Sequence, residues 1–336
     1  MPWKGEKDPY KIWLSEIILQ QTRVEQGWNY YKNLVQAFPT IKDLAKAPQT
    51  RVFKLWEGLG YYIRCRNLIA TAKMIFKEKN GIFPCKYEDI LALKGVGPYT
   101  AAAISSFAFN LPYAVVDGNV FRVLSRYFGM KIPVDSTEGK KKFRLLAEEL
   151  LDRENPGTYN QALMDFGAVV CKPKLPLCTS CPLKKKCKAY LKGWVTRLPV
   201  KERSVSNKFR CFFYLVVSHS GKLYVRKRTE KDIWANLYEF ILIEPASALS
   251  LEELKKENDF RKIFGSCRME IVSVSAPVSQ QLTHQTIRGC FVRINIAKPL
   301  KTTAYKAIPF NRLSSLPFPK MIARYLLENR EYPFER

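Results

Sequence analysis

Acidic residues are scarce in this 336-residue chain: 30 Asp and Glu stand against 56 Lys and Arg, a formal charge of +26 with pI near 9.7. That deficit favours a polyanionic partner, nucleic acid before any other. An anionic membrane would attract the same charge, but no apolar run is long enough to span a bilayer, and no membrane partner is expected. A signal peptide is missing as well, since the opening Met1-Pro2-Trp3-Lys4 runs straight into charged residues. The expected location is therefore the cytoplasm, in association with the nucleoid. No repeat of solenoid period is found. Apolar residues, by contrast, make up 47% of the chain, enough for packed cores and for two domains. The nine cysteines are an odd number for a disulfide framework, and four of them crowd into seventeen residues, as in a metal site of a reducing compartment.

From Pro9 to about Tyr190 apolar residues recur at three- and four-residue spacing, which predicts an all-helical half. Asp8-Pro9, Gly97-Pro98 and Asp117-Gly118-Asn119 each read as a helix start. Residues 193–207, with Pro199, several charges and little periodicity, read as a linker. Beyond it come short β-branched and aromatic runs, Phe212 to Val217, Leu223 to Lys227, Glu270 to Ser275 and Cys290 to Ile296, and a last helix over Lys320 to Glu328. The expected fold is multi-domain, an all-α domain over 1–192 followed by an α+β domain over 208–336.

Four short constellations carry chemistry. Cys171, Cys178, Cys181 and Cys187 form C-x6-C-x2-C-x5-C, whose thiolates could converge on zinc or on an iron–sulfur cluster, and spacing alone does not choose. From Cys171 through Lys201 there are nine Lys or Arg and no acid, a charge that suits phosphates or is simply solvated. Gly95 and Gly97, in Leu93-Lys94-Gly95-Val96-Gly97-Pro98-Tyr99, make a tight turn opening a helix, a turn that offers backbone amides to a phosphate. Asp117 precedes a helical pattern and reads as an N-cap. Glu16 shares a helical face with Ile12 and Leu19; if buried there its pKa rises, as a general acid requires, and if it sits at the helix edge it is merely solvated.

These strings together resemble the MutY family of adenine-DNA glycosylases, within the endonuclease III superfamily. The likeness runs over about residues 1 to 330, strongest up to Cys187, and is carried by Ser15-Glu16-Ile17-Ile18-Leu19-Gln20-Gln21-Thr22, Trp56-Glu57-Gly58-Leu59-Gly60-Tyr61-Tyr62, Val115-Val116-Asp117-Gly118-Asn119-Val120 and the cysteine loop. It implies a helix-hairpin-helix over about 93–109 and a [4Fe–4S] cluster on the loop 171–187. It also implies Glu16 as catalytic acid and Asp117 as the carboxylate beside the sugar cation, with Tyr99 and Asn119 orienting them. DNA contacts follow at Gln21, Thr22, Leu59, Tyr61, Gly95 and Gly97. The last domain resembles a MutT-like (Nudix) fold, through Arg226-Lys227-Arg228 and Trp234-Ala235-Asn236-Leu237-Tyr238-Glu239-Phe240. It lacks the glycine-led helix of Arg and Glu that a working Nudix hydrolase needs to hold magnesium. That argues against a hydrolase, and the resemblance to MutY implies a reader of 8-oxoguanine, with Thr283 and His284 in the reading loop; His284 is one of only two histidines.

Relatives that also nick the strand carry a Lys in the hairpin motif, where this chain has Tyr99. The implied enzyme is a monomer that removes adenine opposite 8-oxoguanine or guanine from double-stranded DNA and leaves the strand intact. The alternatives are a bifunctional glycosylase-lyase for oxidised pyrimidines and a non-enzymatic iron–sulfur DNA-binding protein. Tyr99 argues against the first, and the pairing of Glu16 with Asp117 against the second.

Overall fold

The computed structural model describes residues 4–202, 207–265 and 267–329. The opening residues 1–3, which bear on the signal-peptide expectation, and part of the expected linker, 203–206, lie outside them. The chain divides into two compact units, Met1–Lys46 with Arg66–Ser204, and Ala47–Cys65 with Val205–Arg336.

The helices of the chain's first 200 residues are α1 (Pro9–Leu19), α2 (Val24–Ala37), α3 (Ile41–Lys46), α4 (Gln49–Leu55), α5 (Tyr62–Glu78) and α6 (Tyr87–Leu91). They continue with α7 (Pro98–Phe109), α8 (Gly118–Phe128), α9 (Thr137–Leu150), α10 (Pro156–Val169) and α11 (Lys188–Leu191). The three helix starts expected from sequence are where the caps form. Asp8 accepts from the Tyr10 amide at 2.9 Å, Gly97 caps α7 ahead of Pro98, and Asp117 caps α8. Two helices, α1 and α7, are apolar nearly all round and pack against each other, as helices in a core must. Ile12 to Ile18 are buried on one and Thr100 to Ser106 on the other. Polar residues that these helices carry are therefore buried with them.

Residues 193–202, expected as a free linker, instead fold back on the first unit. Leu198 is buried and gives its carbonyl to Arg126 Nε at 3.0 Å, Val134 donates to Val200 O at 3.0 Å, and the Glu202 amide reaches Asp135 Oδ1 at 3.0 Å. Apolar Leu198 and Val200 overrule the loop-like composition around them.

The second unit is built on a seven-stranded mixed sheet: β1 (Lys208–His219), β2 (Lys222–Lys227), β3 (Tyr238–Ile243), β4 (Met269–Val274), β5 (Val278–Gln281), β6 (Gln285–Ile296) and β7 (Lys306–Pro309). The order is β4-β6-β1-β3-β2-β7, with β5 also on β6, and β1 runs parallel to β6. Alternation along β1 splits its side chains between two layers. Phe213, Leu215 and Val217 pack with Leu254, Phe260 and Phe264 of α12 (Leu251–Lys256) and α13 (Asn258–Phe264). On the other face Phe240 and Phe291 meet Tyr325 of α15 (Lys320–Glu328), a helix that spans the expected residues; a short α14 (Phe310–Leu313) precedes it. In the Nudix-like string, fully buried Glu239 takes Arg226 Nε at 2.9 Å and pairs with buried Arg228. The helical stretch 47–65, expected in the first domain, groups with the sheet instead. Lys54 Nζ donates to Leu316 O at 3.1 Å, the Glu57 carboxylate accepts a backbone hydrogen bond from Phe318, and Tyr61 shares a hydrogen bond with Thr283.

Candidate active site

Glu16 is 4% exposed, held at the centre of α1 by Trp13, Leu14, Ile17 and Ile18, all buried. Burial pushes its carboxyl up to about 7, the Tyr99 hydroxyl opposes by hydrogen-bonding the carboxylate, and the charge of Asp117 pushes in the same direction as burial. Tyr99, on the first turn of α7, is raised well above its usual value by burial and by both carboxylates, so it stays a neutral donor. Among the described residues nothing hydrogen-bonds Glu16 Oε2, although it is buried. A buried polar atom left without a partner costs free energy, and here it belongs to the carboxyl group that interacts with Tyr99 and Asp117.

Asp117 is both the cap of α8 and a member of the site. Its Oδ1 accepts from the amides of Asn119 at 2.8 Å and Val120 at 2.7 Å, and its Oδ2 from Asn119 Nδ2 at 2.7 Å. Burial raises this carboxyl from its ordinary value, while the three hydrogen bonds and Arg122 favour the anion. The two carboxyl groups thus differ in kind: Glu16 lacks a donor to its buried Oε2 and tends to hold a proton, whereas Asp117 is supplied with donors. Environments that separate two carboxyl groups in this way mark an acid and an anion working as a pair.

Two residues of this arrangement carry no signal in the sequence. Arg122 donates from Nη2 to Asn119 Oδ1 at 2.8 Å and to Gly167 O at 2.7 Å, and from Nε to Cys171 O at 2.7 Å, joining the carboxylate's support to the cysteine loop. Gly167 of α10 sits so close to Asn119 that an added Cβ would stand 2.7 Å from the Asn119 Cβ. A buried arginine on an amphipathic helix reads as solvated until its carbonyl partners are known.

Cys171, Cys178, Cys181 and Cys187 line one cavity, walled also by Val123, Tyr127, Phe166, Leu183 and Tyr190. Burial and the charges of Cys171, Cys187 and Cys181 push the Cys178 thiol up, against Arg126, whose Nη1 lies 3.4 Å from Cys171 Sγ. Among the described residues no three His, Cys, Asp or Glu side chains form a group that could hold a single metal ion.

The residues expected at DNA are placed as follows. Gln21 is exposed just past α1 with φ +59°, and Tyr61 is 38% exposed with φ +48°, both in the left-handed region that favours glycine. Strained side-chain-bearing positions of this sort cluster where chains bind ligands. Arg64 lies over the Tyr61 ring, 5.1 Å from its centre. Thr22 is half-buried beside Gln21, while Leu59 is buried and packs inward. Gly95 (φ +84°) leaves no room for a side chain, since a Cβ there would meet the Asn67 Cβ at 2.9 Å; Gly97 opens α7 with open space around it. Thr283 and His284 are exposed at the tip of the β5–β6 hairpin.

Residues 14–152 match the HhH-GPD superfamily of base excision DNA repair proteins, and residues 212–328 match the NUDIX domain. An adenine DNA glycosylase of Buchnera aphidicola from Schizaphis graminum is 38% identical over 241 residues, 71% of this chain and 69% of that one. The human adenine DNA glycosylase is 42% identical over 198 residues, 56% of this chain and 36% of that one. Among solved structures, a thermostable thymine-DNA glycosylase is similar with TM-score 0.53 and 33% identity, over 57% of this chain and 88% of that one. With a glycosylase-superfamily match over the helical half, a NUDIX match over the sheet-bearing half, and 38% identity over more than two thirds of a relative's length, the chain belongs to the MutY family of adenine DNA glycosylases.

Proposed function

We propose that this chain is a monofunctional DNA glycosylase of base excision repair, hydrolysing the N-glycosidic bond of adenine mispaired with 8-oxoguanine or guanine in double-stranded DNA. The observation that carries this reading is the pairing of Glu16, buried and raised to about 7 with its buried Oε2 unpartnered, with Asp117, whose anion is favoured by three hydrogen bonds. A base must leave the stack to reach a carboxyl group buried in a helical core. Protonated Glu16 donates its proton to the leaving base and weakens the bond to the sugar. Asp117, fixed by Asn119 and the start of α8, offset the positive charge that develops on the sugar, before water attacks, in the manner of two-carboxylate glycoside hydrolysis. Tyr99 orients Glu16 through its hydroxyl and, lacking an amine, offers no Schiff base to the sugar.

The exposed hairpin tip at Thr283 and His284, joined to Tyr61, suits the reading of the base opposite adenine. The four-cysteine cavity suits a [4Fe–4S] cluster, because one zinc ion needs all four sulfurs about 2.3 Å from a single point, whereas a cluster spreads its ligands over several metals. Its contribution when bound is to brace the basic loop that Arg122 and Arg126 tie to α8. The reading places a monomer in the cytoplasm, at the nucleoid.

The test is incubation with duplexes carrying adenine opposite 8-oxoguanine, adenine opposite guanine, thymine opposite guanine or an oxidised thymine, with and without alkali. Alkali-dependent cleavage confined to the adenine duplexes is expected; cleavage without alkali, or at thymine alone, overturns the reading. Thr283→Ala and His284→Ala are expected to slow excision opposite 8-oxoguanine more than opposite guanine, and equal losses would remove the hairpin from base reading. Iron and acid-labile sulfide in equal amounts, with visible absorbance, are expected of the purified protein; zinc alone overturns the cluster.

A further inference from the structure

Along the length of α7, on the first unit, runs an open groove of about 1390 Å³. Pro98, Tyr99, Ala102 and Phe109 form one wall, so the groove starts at the hairpin turn beside the catalytic tyrosine and ends past the last turn of the helix. Lys86 and Tyr87 at the start of α6, Tyr113 and a face of α9 close its other sides. The volume exceeds the roughly 300–1000 Å³ of a small-molecule pocket, which points to a length of chain as occupant.

The chemistry of the lining narrows that occupant. Lys86, Lys140, Lys141, Arg144 and Arg153 reach the groove, against Glu88 and Glu148. Glu148 is already engaged, accepting the Ala114 amide at 3.1 Å. Among the described residues none of these five cations forms an ion pair, so the charge is free for an anion. Lys140, Arg144 and Glu148 follow one another at four-residue spacing along α9, presenting one helical face. In the same lining the rings of Tyr87 and Tyr113 stack with centres 4.1 Å apart and planes 12° from parallel, and Tyr113 is only half-buried. A cationic channel with aromatic platforms is how proteins hold unpaired nucleic acid, phosphates on the charges and bases on the rings.

Width separates one strand from two. Spread over the roughly 16 Å of α7 between Pro98 and Phe109, the volume gives a channel roughly 9 Å across for the centre of a water-sized body, about 12 Å from wall to wall, which is the width of one groove of B-DNA and less than the whole duplex. A single strand fits it better than a duplex. We propose that this groove binds single-stranded DNA, as a second site on the enzyme, with Lys141 and Arg144 on the phosphates and Tyr113 stacking a base.

The site is independent of adenine excision, and the experiment keeps the two apart. The probe is a short fluorescein-labelled oligothymidine, which cannot pair with itself and holds no adenine, titrated against the full-length protein by fluorescence anisotropy over a range of salt. The Lys141→Glu/Arg144→Glu double variant is expected to bind it at least ~10-fold more weakly, with a salt slope smaller by about 1.4, the contribution of two phosphate contacts to a single strand. Tyr113→Ala is expected to weaken it about 5-fold or more. Affinity of all three proteins for a fully paired duplex, and excision from it, should agree within about 2-fold. Oligothymidine binding that ignores both variants, or losses equal on single strand and duplex, overturns the proposal. So does polyglutamate binding that is lost in the double variant while oligothymidine binding is kept, which would make the groove a seat for acidic peptide. Loss of adenine excision activity in the duplex assay of wild type leaves the oligothymidine result standing.

Discussion

Asn119 grips Asp117 twice, giving its backbone amide to Oδ1 at 2.8 Å and its side-chain Nδ2 to Oδ2 at 2.7 Å, while its own Oδ1 takes Arg122. Each hydrogen bond to the anion favours it by about 1.5–3 kcal/mol. Asn119→Ala removes one, so the Asp117 carboxyl is expected to rise further. If excision needs Asp117 ionised, as proposed, the acid limb of the single-turnover pH–rate profile is expected to move upward. An unmoved limb would detach Asn119 from the chemistry.

Gly167→Ala tests the same support from outside. In an ordinary helix the change favours the fold by about 1 kcal/mol. Here the new methyl lies 2.7 Å from the Asn119 Cβ and 3.0 Å from its carbonyl oxygen, and overpacking of that kind costs about 1–3 kcal/mol. Lower thermal stability together with slower excision is expected. A more stable protein with an unchanged rate would show that α10 gives way without disturbing Asn119.

Glu16→Gln is expected to slow excision about 10²–10⁴-fold and yet to strengthen the fold at high pH. The folded-state value near 7 lies above the ordinary 4.5, so folding takes up a proton between the two, and wild-type stability falls as pH rises through that window. The advantage of the Gln variant should grow by about 3 kcal/mol from about pH 4 to about pH 8 and then level off. Urea denaturation at the two ends of that range checks it, and a constant gap would place Glu16 in a wetter setting.

Glu239→Ala strips one of two carboxylate partners from Arg228, which is 4% exposed and keeps Asp232 at 2.9 Å. A loss of about 1.5–3 kcal/mol is expected in the second unit, read as a lower urea midpoint. Glu239→Gln, which keeps an acceptor for the guanidinium, should recover part of it, and a neutral alanine variant would mean that water reaches Arg228.

Tyr99→Lys places an amine beside both carboxyl groups. Burial lowers its pKa and the carboxylates raise it, so a minor fraction is free to attack the sugar. Weak borohydride trapping on adenine-containing duplex is expected of the variant and none of the wild type. Strong trapping by the wild type would show that another lysine already serves as nucleophile.

Local signals in the sequence reached far into this molecule. Capping at Asp8, Gly97 and Asp117 is decided by neighbours within three residues, and so those helix starts were legible. The burial of Glu16 was open until the apolar surround of α1 closed it on all sides. Strands β3, β5 and β7 escaped because they are short or, like Tyr238–Ile243, mix a buried Glu into an apolar run whose sense depends on Arg226 and Arg228 across the sheet. Arg122 and Gly167 escaped for a related reason: Arg122 reaches the carbonyls of Gly167 and Cys171, and Gly167 meets Asn119, all more than 40 residues apart in the chain. The grouping of 47–65 with the sheet rests on contacts to Thr283, Leu316 and Phe318, which no local pattern encodes.

Arg126 bears on the order in which the chain can be completed as it leaves the ribosome. Its guanidinium is satisfied by carbonyls of Lys172, Pro173 and Leu198, which belong to stretches made well after it. A nascent chain that has emerged only to Lys192, where composition alone ends the helical domain, lacks the last of these and the clasp of Val200 on Val134. The guanidinium of Arg126 therefore gains its full set of carbonyls only when Leu198 has been synthesised, and a fragment meant to stand for the helical half has to run through Glu202 to carry its own latch.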